Sequence, residues 1–210
     1  MFIAVLIDGQ YLYEVQQMLG YEHIDLRVFV DTLVGSHPHK AWYFTNDMPS
    51  EAAAERHERF LNAIREKGLK VVKGSVIRID RKCPHCGQVL TDYQQKEVDV
   101  AMAIAAIRAC KFANKIILVT GDGDFAPLLR ALEHRVLTVL VAHQPSSYLR
   151  QHADQFIELG TVLAKTKEKM EKRAQRRKFV CPECGGEEFS PEKNDLVRCK
   201  KCGAVLKPTQ

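Results

Sequence analysis

Residues 115–125 read KIILVTGDGDF. The stretch KIILVT is short, apolar and closed by glycine, the pattern of a strand buried on both faces of a parallel sheet. It delivers Asp122 and Asp124 just beyond its carboxyl end. A run of the same kind, FIAVLI at residues 2–7, ends at Asp8-Gly9. Working outward, Lys40–Thr45 (KAWYFT), Leu69–Val72 and Leu137–Ala142 read as further strands. Helical spacing falls between them, over Tyr11–Leu19, Ile24–Val34, Ser50–Gly68, Gln95–Cys110, Phe125–His134 and Ser147–Ala153. Val76–Asp80 and Val89–Tyr93 pattern as a hairpin around a CPHCG turn. Strands alternating with helices imply right-handed crossovers, hence an α/β fold with a mainly parallel sheet and helices on both faces.

The chain has 210 residues, of which 46% are hydrophobic and 27% charged, so a packed core is expected and wholesale disorder is excluded. No apolar run reaches the roughly 18 residues that span a bilayer. The start lacks a basic leader and Asp8 interrupts it, so it reads as a first strand rather than a signal peptide, and a cytoplasmic location without membrane attachment is expected. Seven cysteines there point to metal or free thiols rather than disulfides. Charge is uneven: residues 1–160 carry a balance of −1 and residues 161–210 a balance of +6. The boundaries drawn from this are a globular domain over 1–160, a basic helical linker over 161–178 and a small module over 179–210. A basic tail marks either a nucleic-acid partner or a solvated surface.

Asp8 and Asp122 end two strands, and Asp99 sits near the start of the helix that leads into the second of them. Open α/β sheets bind ligands outside the carboxyl ends of their strands, where strand order reverses. If the two strands are neighbours there, the carboxylates converge. Crowded carboxylates repel, and a cation neutralises them. Oxygen donors suit Mg²⁺ or Mn²⁺, whose chemistry at such a site is phosphodiester hydrolysis. Read one at a time, Asp-Gly after a strand is a turn and Asp99 a helix-start carboxylate.

Three motifs together, IDGQYLY (7–13), QKEVDVAMA (95–103) and LVTGDGDFAPLL (118–129), resemble the NYN domain, also called LabA-like, of the PIN-like ribonuclease group. The resemblance covers about residues 1–160. It implies a PIN-like fold, a metal-bound acidic pocket and RNA cleavage. It places Asp8, Asp99, Asp122 and Asp124 as the catalytic set, with Asp8, Asp99 and Asp122 on the metal and Asp124 behind them or on substrate. Lys96 matches the lysine of the Lys-x-Val-Asp-type motif and is a candidate RNA contact. Two positions depart from the family pattern: Tyr11 stands where Asn is usual, and Ala105 where a second acid is frequent. Tyr11 is a candidate for stacking a base or replacing the Asn as a donor.

Cys181, Cys184, Cys199 and Cys202 form CPECG and CKKCG turns separated by fourteen residues, the spacing of a closed Cys₄ structural Zn²⁺ site. The segment resembles a rubredoxin-like zinc ribbon, and about 30 residues of this kind fold only with metal. Arg173, Arg176, Arg177 and Lys178, with basic residues of the ribbon, are candidate contacts to RNA phosphates; docking of a protein partner is the rival use of the ribbon. Cys83 and Cys86 are half a site. Three readings stay open: zinc completed by a histidine (His85, His37 or His39) or by a second subunit of a homodimer, a redox pair, or idle thiols.

The leading expectation is a metal-dependent ribonuclease. The alternatives are a non-catalytic RNA-binding or scaffold protein and, less favoured, a phosphoryl-transfer enzyme, because Asp8-Gly9-Gln10 lacks a second carboxylate two residues after the first.

Overall fold

The computed structural model describes residues 1–48, 51–177, 181–186, 188–192 and 196–207; the side chains of residues 51, 52, 92–96 and 175–177 are not among what it describes. Contacts divide it into two units, Met1–Ala164 and Lys165–Gln210.

The first unit is an α/β sandwich. Its strands are β1 (Ile3–Asp8), β2 (His39–Asn46), β3 (Lys70–Lys82), β4 (Val89–Lys96), β5 (Lys115–Val119), β6 (Leu137–Ala142) and β7 (Gln155–Glu158). They form one sheet in the order β4-β3-β2-β1-β5-β6-β7, parallel throughout except for the antiparallel β3–β4 pair. The chain builds outward from β1 to β4, then returns to lay β5 on the other side of β1. Strand order therefore reverses between β1 and β5, the neighbours that the carboxylate argument requires. Their register aligns Ile7 with Val119, so Asp8 and Thr120 leave the sheet side by side.

Alternation along each strand feeds two cores. Ile3, Val5, Ile7, Ile117 and Val119 face one side, covered by α1 (Gly9–Met18), α2 (Leu26–Val34), α3 (Glu51–Glu66) and the start of α7 (Leu159–Arg177). Ala4, Leu6, Ile116 and Leu118 face the other, covered by α4 (Val98–Ala109), α5 (Ala126–Leu132) and α6 (Ser147–Arg150). Burying both faces explains why these strands are apolar runs rather than alternating ones.

Several boundaries differ from the sequence expectation. The third strand and the first arm of the hairpin are one continuous thirteen-residue strand, β3, whose far half pairs only with β4. Helix α4 starts at Val98, because Glu97 takes a left-handed φ of 77° that breaks the chain direction. The four-residue edge strand β7 was not anticipated; it is too short to show a period. Helix α7 begins inside the first unit, where Leu159, Val162 and Leu163 lie on one stripe and are buried before the basic sequence starts. No helix among the described residues is long and apolar enough to cross a membrane.

The second unit holds the exposed part of α7 and a small antiparallel sheet of β8 (Phe189–Pro191), β9 (Val197–Cys199) and β10 (Val205–Leu206). Lys165, Lys167, Lys169, Lys172 and Arg173 are exposed. Lys178 and the side chains of Arg176 and Arg177 lie outside the described residues.

Gly9 shows how tightly α1 leaves β1. A β-carbon there would fall 2.6 Å from the Tyr43 hydroxyl oxygen and 2.7 Å from the Phe44 carbonyl oxygen. Backbone cannot yield as a flexible side chain does. Gly9→Ala is expected to destabilise the first unit by about 1–3 kcal/mol, the usual cost of overpacking, as measured by urea unfolding.

Candidate active site

Asp8 ends β1 in extended conformation and caps α1: its Oδ1 accepts the Tyr11 N–H at 3.1 Å. Its Oδ2 accepts the Thr120 hydroxyl at 3.1 Å. The same Thr120 oxygen accepts the Asp122 N–H at 3.3 Å. Asp122 in turn caps a short 3₁₀ turn, Gly123–Phe125, with Oδ1 accepting the Asp124 N–H at 2.9 Å. One fully buried threonine thus ties the end of β1 to the loop after β5.

Asp99 lies in the first turn of α4. Asp8, Asp99 and Asp122 line one open cavity of about 430 Å³, together with Tyr11, Glu14, Thr45, Asn46 and Glu97. Asp124 does not line it and borders instead an apolar groove along α4 and α5 that Asp99 also borders. The cavity lies at the strand-order reversal, where this class of sheet places its ligands.

The charges act on one another. Burial pushes the Asp8 carboxyl above its ordinary value; the Tyr11 and Thr120 hydrogen bonds oppose this, and the fields of Asp99 and Asp122 add to it. Asp99 is raised by burial and by Asp122 and Asp124. The Tyr43 phenol, buried behind Gly9, is raised by burial and by the Asp8 charge. Burial also raises Tyr11.

The other sequence candidates fall as follows. Tyr11 lines the cavity, but its hydroxyl is engaged: it accepts the His143 N–H at 2.7 Å and donates to the His143 carbonyl at 3.3 Å. Its ring occupies the space a side chain at Gly121 would need, 2.7 Å from the position of a β-carbon. His143 in turn pairs through Nδ1 with Glu158 at 2.7 Å. Lys96 ends β4 instead of opening α4, because the turn at Glu97 intervenes; its side chain is not among those described. Thr45 is buried, within 3.3 Å of His57 Nε2. Glu14 and Glu97 were missed by the sequence reading. Glu97 accepts a hydrogen bond from Ser75 at 3.0 Å, and the KEVD string itself was its only signal.

The cysteines of the second unit converge. Cys181 and Cys202 sulfurs lie 3.6 Å apart and those of Cys184 and Cys199 3.5 Å apart, with all four within 4.8 Å of one another. Four sulfurs at about 2.3 Å from a tetrahedral ion sit about 3.8 Å apart, so the set fits Zn²⁺. No other set of three or more His, Cys, Asp or Glu among the described residues is drawn so close, and the cavity carboxylates stand at wider spacing.

The NYN domain model matches residues 2–160. This chain belongs to the NYN domain family. NYN proteins are generally nucleases of the PIN-like superfamily, which places the chain with the ribonucleases at family level. No curated protein matches it. Among solved structures it is similar to a protein of unknown function from Vibrio parahaemolyticus, with 22% identity and a TM-score of 0.57 over 74% of this chain and 91% of that one. A phosphoglycerate kinase from Coxiella burnetii aligns at 7% identity and a TM-score of 0.44, over 82% of this NYN chain and 53% of the kinase.

Two tests follow from the site's electrostatics. A carboxyl whose folded-state pKa is raised gives up stability as pH rises from its unfolded value through its folded one. Wild type should therefore lose stability relative to Asp8→Asn as pH rises above about 4, the ordinary aspartate value, in EDTA, by urea unfolding at stepped pH; a pH-independent difference would reject the crowding of charge at Asp8. Thr120→Val removes a donor to a carboxylate and should cost about 1.5–3 kcal/mol in the same assay at pH 7.

Proposed function

We propose that this NYN chain is a metal-dependent ribonuclease whose reaction centre is the cavity bounded by Asp8, Asp99 and Asp122. The observation that carries the reading is their meeting in one cleft at the strand-order reversal, with Asp8 and Asp99 both held above the ordinary carboxylate range. A cluster that resists full ionisation by itself is stabilised by a cation. The donors are all oxygen, which fits Mg²⁺ or Mn²⁺, and their wide spacing fits an ion that keeps several of its waters. Asp8, Asp99 and Asp122 are the residues that would hold it, directly or through water. Bound there, such an ion supplies charge neutralisation at phosphate and a more acidic water for in-line attack.

The chain's own groups do the positioning. Thr120 and the Tyr11 N–H fix both oxygens of Asp8. The cap on the 3₁₀ turn fixes Asp122. Tyr11, clamped by His143 and Gly121, forms a wall of the cleft rather than a free ring. Asp124 acts on Asp99 through its field.

The four cysteines would hold a structural Zn²⁺ and make the second unit a zinc ribbon. The acidic cleft repels a polyanion, so attraction to RNA has to come from elsewhere. The exposed basic residues of α7, Arg173 among them, are suited to backbone phosphates. In the ribbon, Arg198 pairs with Glu192 and Lys200 with Glu188, and on the helix Lys172 pairs with Glu168; Lys165, Lys167 and Lys169 add exposed positive charge there.

The test is cleavage of labelled single-stranded and structured RNA in Mg²⁺, Mn²⁺ or EDTA. Asp122→Asn preserves the capping oxygen. It should lower the metal-dependent rate at least about a hundredfold, equivalent to about 2.7 kcal/mol, with thermal unfolding unchanged within a few degrees. Undiminished cleavage by that variant would reject the site. Tight, salt-sensitive binding without cleavage by wild type would make the chain an RNA-binding protein instead.

A further inference from the structure

The tip of the β3–β4 hairpin repeats the backbone of the cysteine turns in the second unit. In CPHCG the Cys83 N–H donates to the Gln88 carbonyl at 2.8 Å and the Gly87 N–H to the Cys83 carbonyl at 2.9 Å. In CPECG the Cys181 N–H donates to Gly186 at 2.8 Å and Gly185 to Cys181 at 2.8 Å. In CKKCG the Cys199 N–H donates to Ala204 at 2.8 Å and Gly203 to Cys199 at 2.9 Å. The glycine after each second cysteine is left-handed, with φ of 72°, 67° and 77°. The N–H groups of His85 and Cys86 point at the Cys83 sulfur, as those of Lys201 and Cys202 point at Cys199. Two of these three turns face each other and bring four sulfurs together. The third has the same geometry and no opposite number.

The described residues of its own chain do not supply one. Among the described residues, no His, Cys, Asp or Glu joins Cys83 and Cys86 within 4.8 Å. β3 leaves the parallel sheet at Gly74, opposite Asn46, and its last eight residues pair with β4 alone. At about 3.3 Å per residue, eight residues of straight strand carry the tip on the order of 26 Å past the end of the parallel pairing with β2. His37 and His39 precede or open β2, at the amino end of the strand that pairs with β3 in parallel, whereas the hairpin runs on past the carboxyl end. His85 lies between the cysteines, inside the turn.

We propose that Cys83 and Cys86 are one half of a Cys₄ zinc site completed by the same pair from a second copy of this chain, so that two hairpins clasp one Zn²⁺. Two identical half-sites related by a two-fold axis give the four thiolates that a closed tetrahedral site takes. Charge favours the pairing. Four thiolates around Zn²⁺ carry a net −2, and each chain brings Arg81 and Lys82 in the two positions before Cys83. The hairpin also offers apolar surface: Ile77 and Leu90 are 49% and 58% exposed and lie on one face with Ile79, by register of Arg81 with Leu90 and of alternate β3 residues. A second hairpin covers it.

The test uses the full chain, saturated with zinc under a thiol-free reductant and freed of excess by gel filtration. Zinc per chain is read by elemental analysis and mass by sedimentation equilibrium. Wild type should be a dimer holding half a zinc per chain more than Cys83→Ser/Cys86→Ser, and the double variant should be a monomer. With the zinc ribbon filled the values are about 1.5 and 1.0 per chain; if the ribbon reading fails, they become about 0.5 and zero while the difference stands. An equal zinc content in both proteins overturns the clasp. So does a whole extra zinc on a monomeric wild type, or a dimer that survives in the double variant. Should that variant fail to fold, a wild-type monomer or a wild-type content that is a whole number per chain overturns the proposal alone.

Discussion

The Thr120 hydroxyl is fully buried between the ends of two neighbouring strands, donating to Asp8 and accepting from the Asp122 N–H. Its position makes the cleft one object. β1 and β5 bring their carboxyl ends together because strand order reverses between them, and a single oxygen then sets both the rotamer of Asp8 and the path of the loop carrying Asp122. Orientation is needed because the charges resist it. Asp8, Asp99 and Asp122 raise one another's energy when ionised, and burial removes the water that would otherwise screen them. A hydrogen bond to a carboxylate is worth roughly 1.5–3 kcal/mol, enough to hold the geometry against that repulsion but not to abolish it. The fold therefore holds an unfavourable charge arrangement.

Much of this was legible in the sequence because the physics is local. A strand buried on both faces must be apolar at every position, so FIAVLI and KIILVT declared themselves, and their ends located Asp8 and Asp122. What escaped reading depends on contacts distant in sequence. Nothing local to Tyr11 announces that its hydroxyl is taken by the His143 backbone, 132 residues away. Glu97 adopts a left-handed backbone that most side chains avoid, so Lys96 falls on a strand rather than a helix. The extra length of β3 follows from its antiparallel partner, which a reading of alternation in separate pieces divides in two.

The cysteines show the opposite balance. Their spacing fixes the turn chemistry almost completely, since a Cys-x-x-Cys-Gly turn needs a left-handed glycine and aims two N–H groups at the first sulfur wherever it occurs. All three turns have the left-handed glycine, and in CPHCG and CKKCG two N–H groups point at the first sulfur. Spacing says nothing about whether a second turn arrives to complete the set. In the second unit, β8, β9 and β10 bring the two turns together; at the hairpin tip, no third His, Cys, Asp or Glu among the described residues comes within 4.8 Å of both cysteines.

Close backbone approach is the remaining determinant of the cleft, and small residues supply it. Gly9 admits the Tyr43 ring and the Phe44 carbonyl where a side chain would have stood, which lets α1 turn off β1 immediately after Asp8. Gly121 admits the Tyr11 ring, which lets the loop after β5 fold back toward α1. On α4, Ala106 and Ala109 are buried against the sheet, with Val98 and Met102 filling the wider spaces on the same face. A larger residue at either alanine would lift the helix and carry Asp99 away from β1. On the proposed reading the acidic residues supply the chemistry, but their distances are set by glycine and alanine positions that carry no chemistry at all. A search for the site by charged residues alone finds Asp25, Asp31 and Asp80 as readily as Asp8; the small residues beside Asp8, Asp99 and Asp122 are what separate a cleft from a surface.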